Sequence, residues 1–503
     1  MFSMIEAIKA LTSNGDTFVT IYQLYQYCMT YGISSSQEQF HHAFQCLVNQ
    51  KALICSEGMV SLAQVAQYEN ITAQLLQRIL SVPSIAWMDC PQKIDPSCRG
   101  VSLSEEQMAA VRLALSHRLS IIQGGAGTGK TTLIQAIVRE SGLAPEEVFL
   151  CSPTGKAAAN LSAKTGMPAA TIHGLCQATW GYDFTLAAER TDLRLLIADE
   201  ASMISLDLLT GILRSAGDLC RIVLLGDPNQ LDAVNCGNAL NDLLSLGFPS
   251  LTLRQGHRQA DHASALYNNI ERFSSITDPT QLAFDDSFQF IEAEEDELFS
   301  AVLALGTDLV RSGGDCMILS PLREPKVISS EVTTTLLNAC IQSQVHTPGD
   351  RRLFISADQY FAEGDPVMFQ KNNRAYPYFN GEHGVFHITE NGCGSPSYWV
   401  SLPSDRTIPI EPYEAGSLLT LAYACTVHKA QGSEYDTVII PLSDAFSPMS
   451  NRSLFYTSIS RSKKKVILVG TESSLSCALS RQPHARQSLL VPKVRKLLRQ
   501  AAG

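Results

Sequence analysis

The stretch GGAGTGKT at residues 124–131 fits the spacing G-x-x-x-x-G-K-[ST] in full. These residue types at this spacing suit one task, the holding of a chain of phosphates. Gly124, Gly125, Ala126, Gly127, Thr128 and Gly129 are small, so backbone N–H groups can turn inward around phosphate oxygens. Lys130 reaches the outer phosphates, Thr131 offers a hydroxyl to Mg²⁺, and Thr132 closes the nucleotide-binding set. The apolar run LSIIQ before the loop reads as a strand and TLIQAIVRE after it as a helix. The start of that helix adds partial positive charge where the phosphates would lie.

Hydrolysis also needs a metal ligand and a base. The aliphatic run LRLLIADEAS ends in Asp199-Glu200. Asp199 is a ligand for the ion, and Glu200 is a general base that orients and activates a water. Such a pair by itself serves equally well as a helix cap. Behind a phosphate loop, in this order, it favours attack by water over a simple kinase. A third aliphatic run, RIVLLGDPNQ, places Gln230 just past its end, where an amide can contact the γ-phosphate. Upstream, in VSLSEEQMAAVRLAL, Gln107 admits two roles. It is the fourth member of a capping box that starts at Ser104, or an amide that reads adenine by donating and accepting at once. Both hold together if the backbone caps and the amide points to the base. ATP and Mg²⁺ are the expected ligands.

Alternating elements are needed to position these groups. Between residues 100 and 275 short aliphatic runs alternate with helical stretches, the pattern of a parallel α/β sheet. The alternation resumes with CMILSP and again from 416 with LLTLAYA, DTVIIPL and KKKVILVG. Residues 345–415 are rich in Gly, Pro and Asn with strand-like VMFQ, GVFHI and SYWVSL, a β-rich insert. Residues 1–95 pair helices with a hairpin about Ser-Glu-Gly, a small winged-helix-like domain that serves as a spacer or as a DNA-reading wing. The segment DCPQKIDPSCRG reads as a linker. The expected plan is α/β: a first lobe at 96–275, a second at 276–344 and 416–475 that carries the insert, and a basic tail at 476–503.

Taken in order, these motifs resemble the RecD-like branch of superfamily 1 helicases. TLAYACTVHKAQGSEYDTVIIPL (420–442) is similar to the family's TVHKSQGSEF segment, and LFYTSISRSKKKVILVG (454–470) to its YTAVTRARRR segment. VMFQKNNRAYPYFNGEHGVF (367–386) resembles its NGD-G stretch and ILSPLREP (318–325) its LREG stretch. The likeness covers about residues 100–470. It implies two RecA-like P-loop lobes with an SH3-like insert, and ATP-driven 5′→3′ movement on single-stranded DNA with duplex unwinding in repair or recombination. It also implies either a motor subunit of an exodeoxyribonuclease V-type assembly with RecB- and RecC-like partners, or a helicase that works alone.

By that resemblance Arg258 and Arg461 neutralise charge on the transferred phosphoryl group, and Glu434 binds the nucleotide ribose or supports its motif. Strand contacts fall to Thr154, Lys156, Thr171 and His173 in the first lobe, and to Thr426, His428 and Lys429 in the second. Hydroxyls, imidazole and ammonium groups suit phosphate and sugar contacts and movement blind to sequence. The family carries a small pin near 176–191, where Trp180, Tyr182 and Phe184 either stack on a terminal base pair or simply pack. Two departures stand out: Asp232 replaces the family's proline after Gln-Leu, and TSISRS replaces TAVTRA.

Bulk numbers narrow the class further. Net charge is −11, from 38 basic and 49 acidic residues, so any nucleic-acid track must be a limited strip of surface. The tail SRQPHARQSLLVPKVRKLLRQAAG is locally basic, either a solvated helix face or a DNA or partner contact. No run of 18 apolar residues and no signal-peptide pattern occurs, so no membrane role and a cytoplasmic site are expected. The 14 cysteines are scattered without a CxxC, consistent with free thiols in a reducing compartment.

Overall fold

The computed structural model describes residues 2–81, 94–98, 101–177, 183–254, 264–324, 330–373, 378–390, 395–403, 406–447 and 449–502. Six aliphatic runs of the first lobe form one wholly parallel sheet. Its order is Ser250–Leu253, Leu119–Gly124, Arg221–Gly226, Leu195–Ala198, Val148–Ser152, Ala169–Thr171. The inner strands are mostly apolar because both of their faces are covered, whereas the edge strands Ser250–Leu253 and Ala169–Thr171 are only partly buried. Leu195 and Ile197 enter a core with the helices Glu105–Ser116 and Lys130–Ser141, while Leu196 and Ala198 enter the core on the opposite face. The phosphate loop leaves the carboxyl end of the second strand in that order, the edge where ligands of such sheets bind.

The second lobe repeats the plan with five parallel strands in the order Phe288–Glu292, Ser462–Gly470, Tyr435–Leu442, Cys316–Ser320, Ala424–Thr426. Between the last two in that order the chain makes an antiparallel five-stranded sheet: Thr407–Pro409, Pro396–Ser401, His383–Glu390, Pro366–Phe369, Leu419–Leu421. The run LLTLAYA is therefore divided. Leu419–Leu421 closes the insert against Pro366–Phe369, and only Ala424–Thr426 joins the parallel sheet.

The first residues fold as helices Phe2–Leu11, Ile21–Thr30 and Gln37–Asn49 beside a small antiparallel sheet. Its hairpin Leu53–Ser56/Met59–Leu62 turns on Glu57 and Gly58, both with positive φ, as a two-residue turn between twisted strands requires. The long helix Ala63–Ser81 then packs on the first lobe. So does the helix Leu490–Ala502, whose Leu490 and Val494 are fully buried in the same core. Arg495, Lys496 and Arg499 stay exposed, the solvated helix face expected of the tail, while the buried apolar side of the same helix was not anticipated. Among the described residues no helix is long and apolar enough to cross a membrane. Of the expected pin, 178–182 with Trp180 and Tyr182 lie outside the described residues, and Phe184 is buried in the lobe-one core beside Gly211.

Candidate nucleotide site between two lobes

Gly127 and Gly129 hold φ of 83° and 78°, a backbone region that strains other L-residues. Gly129 starts the helix Lys130–Ser141 without a side-chain cap, so its first N–H groups stay open toward the loop. The Thr128 hydroxyl donates to the Gly125 carbonyl at 3.0 Å and stiffens the turn. Lys130 Nζ folds over the loop and donates to the Gly124 carbonyl at 2.6 Å. Gln107 completes the capping box with Ser104, and its Nε2 donates to the Thr128 carbonyl at 3.4 Å. With both ends of the amide engaged and 3 % exposure, it braces the loop from behind.

Asp199 follows its strand and donates its N–H to the Cys151 carbonyl at 2.9 Å. Its Oδ1 accepts the Glu200 N–H at 2.9 Å, which holds Glu200 at φ 56°. Desolvation raises the Asp199 carboxyl to about 6; the Glu200 carboxylate adds to the shift and Lys130 opposes it. Glu200 Oε2 and Gln230 Oε1 are buried with no hydrogen-bond partner. Orphaned oxygens of this kind cost about 1–3 kcal/mol each, and both lie by strand ends next to an open phosphate loop. This donor set fits a nucleotide with Mg²⁺, which the Thr131 hydroxyl and Asp199 would hold.

The second lobe meets this site through one short helix, Arg452–Ile459. The buried Tyr456 hydroxyl donates to Asp227 Oδ2 at 2.8 Å, and a Cβ on Gly125 would stand only 3.0 Å from it. The Ala126 backbone also bonds this hydroxyl, while burial and Asp227 push it well above the usual phenol range. The Thr457 hydroxyl accepts the Leu231 N–H at 2.9 Å, and Gln431 donates to the Leu231 carbonyl at 3.3 Å. The loop that carries Gln230 is thus gripped by the second lobe one residue further on. Arg461 is 4 % exposed and donates to Thr457 O at 3.2 Å, Ser460 Oγ at 3.0 Å and Ser433 O at 3.5 Å, all in its own lobe. Arg258 lies outside the described residues.

The expected strand contacts divide into groups. Thr154 and Thr171 cap short helices, their hydroxyls accepting from Ala157 N at 3.2 Å and Gly174 N at 3.0 Å. His173 stands edge-on to Phe184 at 5.1 Å. Lys156 is pulled down to about 8, by desolvation first and then by Arg461, with Cys425 and Glu382 opposing. It borders a cavity of about 670 Å³ between the first lobe and the insert, together with Lys164, Glu382, His383 and Arg406. Glu434 borders that cavity too and pairs with Lys164 at 3.2 Å, across the lobe boundary. Thr426 and Lys429 line a second cavity of about 340 Å³ with Arg323. His428 is held below its ordinary range by desolvation and by the Arg486 guanidinium.

Sequence reasoning missed Asp227 and Tyr456, which join the lobes at the loop. The signals were present: an acid directly after RIVLLG, and a tyrosine five positions before Arg461.

Two parallel-sheet lobes with a phosphate loop at their seam define the architecture of a two-lobed P-loop nucleotide-binding protein. An AAA domain model matches residues 102–277, and a UvrD-like helicase C-terminal domain model matches residues 421–469. The chain is 30% identical over 446 residues to the ATP-dependent RecD2 DNA helicase of Deinococcus radiodurans, covering 88% of this chain and 60% of that protein. It is 27% identical over 419 residues to the RecBCD enzyme subunit RecD of Mycolicibacterium smegmatis, covering 75% and 73%. A solved Pif1 helicase structure on forked duplex DNA overlays 79% of this chain and 98% of its own, at 19% identity and a TM-score of 0.47. The domain models and both relatives liken the chain, over most of its length, to the RecD-like branch of superfamily 1 helicases. It spans about 60% of the length of its Deinococcus relative.

Proposed function

We propose that this chain is an ATP-driven motor that moves 5′→3′ on single-stranded DNA and unwinds duplex DNA in repair or recombination. The observation that carries the reading is the seam itself. Tyr456 and Thr457 of the second lobe touch the phosphate loop and the Gln230 loop of the first. A change in the outer phosphate is thereby felt directly as a change in lobe contact.

In this mechanism Lys130 and the open helix start hold the outer phosphates. Glu200 orients a water and takes its proton, and Gln230 contacts the γ-phosphate. Thr131 and Asp199 would hold Mg²⁺, which neutralises charge on the phosphate oxygens. Arg461 leaves its own helix end to meet the developing charge, and with Arg258 completes the set. Thr154, Lys156, Thr171, His173, Thr426, His428 and Lys429 hold the strand and single-to-double-strand junctions. Glu434 steadies the nucleotide or its own motif.

The motor acts as the RecD-type subunit of an assembly with RecB- and RecC-like partners, as the mycobacterial relative's name supports. The match to a relative named as an ATP-dependent helicase favours a second reading, a chain that works alone. ATP hydrolysis by the purified chain, with and without single-stranded DNA and beside Lys130→Ala, tests the common core. Hydrolysis indifferent to DNA would sink the motor. Unwinding of 5′-tailed but not 3′-tailed duplexes by the isolated chain separates the stand-alone reading from one that needs partners.

A further inference from the structure

The helicase C-terminal domain model ends at residue 469, yet the segment beyond it returns to the first lobe. Its centre is Arg486, whose side chain is 10% exposed. The guanidinium donates to the carbonyls of Asn235 at 2.8 Å and Gly237 at 3.0 Å, and also to that of Ala233. Its Nε lies 3.6 Å from Asp232 Oδ2. On its other side it lies against Gly15, where a Cβ would come within 2.3 Å of Cζ and where φ is +97°. The Gly15 carbonyl in turn accepts the Gly237 N–H at 2.8 Å. Flanking bonds fix the segment: Thr17 N–H donates to the Gln487 carbonyl at 3.0 Å, and Gln487 N–H to Asp16 Oδ1 at 2.6 Å.

These acceptors belong to one loop, and that loop begins at Gln230. Its near end, Leu231, is held by Thr457 and Gln431 of the second lobe. Its far end, Asp232 to Gly237, is held by Arg486. A planar fork of five donors can serve three carbonyls and a carboxylate together; an ammonium cannot. Asp232, the residue that departs from the family's proline, is the acid this arginine meets.

The geometry points to Arg486 as a positioning residue for the Gln230 loop: the strap at 481–489 pins the far end, so motion of the second lobe at Leu231 re-aims Gln230 instead of sliding the whole loop. This inference rests on the reading of Gln230 as a γ-phosphate contact.

The test is steady-state DNA-stimulated ATP hydrolysis by the full chain carrying Arg486→Ala, Arg486→Lys, Gln230→Ala, or Arg486→Ala with Gln230→Ala. Arg486→Ala and Arg486→Lys are each expected to lower kcat about 10-fold with KM for ATP held within about twofold, and the double variant is no slower than Gln230→Ala alone. A general loss of packing would instead multiply the two losses, and that result, or a wild-type kcat in Arg486→Ala, overturns the proposal. Should Arg486→Ala fail to fold in a thermal melt, Asp232→Asn keeps every carbonyl contact. It is expected to lower kcat about threefold, and to have no effect once Gln230 is alanine. An unchanged kcat in Gln230→Ala overturns the Gln230 reading and this inference with it, whereas multiplied losses overturn the inference alone.

Discussion

The two halves of the nucleotide site are built differently. In the first lobe the loop, Lys130, Asp199 and Glu200 sit at strand ends of one sheet, and most of their bonds run to backbone close by. In the second lobe Tyr456 and Thr457 ride one short helix, and Arg461, just past its end, gives its donors to its own neighbours. The first half is a finished cradle. In the proposed mechanism the second is the moving part, whose resting bonds are exchanged before Arg461 acts.

The strongest way to break this contrast is to remove one charge from each half. Lys130→Ala is expected to lower DNA-stimulated kcat by at least about 10³-fold, and Arg461→Lys by about 10²–10³-fold, since an ammonium cannot copy the planar guanidinium. If Lys130→Ala keeps its melting temperature, its role is chemical. If Arg461→Lys hydrolyses ATP normally in a phosphate-release assay, the second lobe supplies no finger and the contrast falls.

A second test concerns charge stored in the cradle. The Asp199 carboxyl is raised to about 6 by desolvation and by Glu200. The folded state therefore binds this proton more tightly than the unfolded chain. The ionised carboxylate opposes folding above about 6, and that cost disappears as pH falls toward the unfolded value. Asp199→Asn should abolish turnover yet stabilise the nucleotide-free protein by about 2 kcal/mol at pH 7.5. The gain should vanish below pH 4 in denaturant titrations; a gain independent of pH would refute the electrostatic origin.

The seam gives two smaller effects. Tyr456→Phe removes the 2.8 Å donor to Oδ2 of the fully buried Asp227, leaving that oxygen Gln230 Nε2 at 3.5 Å while Oδ1 keeps the Asn229 N–H at 3.1 Å, and should cost about 1–3 kcal/mol of stability. Lys164→Ala removes the exposed pair with Glu434 and should change stability by less than about 0.5 kcal/mol. Comparable costs for the two would mean that the lobes are held by surface charge, not at the phosphate loop.

What could be read from sequence follows the same division. GGAGTGKT, the Ser104–Gln107 cap and the Glu57-Gly58 hairpin act through nearby backbone, so type and spacing suffice. Partners that lie far apart in the chain were not legible. Asp227 meets Tyr456, Asp232 meets Arg486, and Glu69 meets Thr17 and Lys493, none of them marked by local pattern. The run LLTLAYA misled because a parallel and an antiparallel strand look alike when both are buried. The basic tail was legible in part: Arg495, Lys496 and Arg499 are solvated as expected, whereas Arg486 and Lys493 find acceptors hundreds of residues away.

Leu490 and Val494 share a core with Leu119 and Ile121, strand residues that lead into the phosphate loop. A ribosome therefore releases the first lobe unfinished. The sheet can form as it emerges, but one wall stays bare until residues 490–502 have been made, after the whole second lobe. Its nascent form exposes apolar surface for the time it takes to translate the second lobe and its insert, and chaperone protection should be sought in that interval.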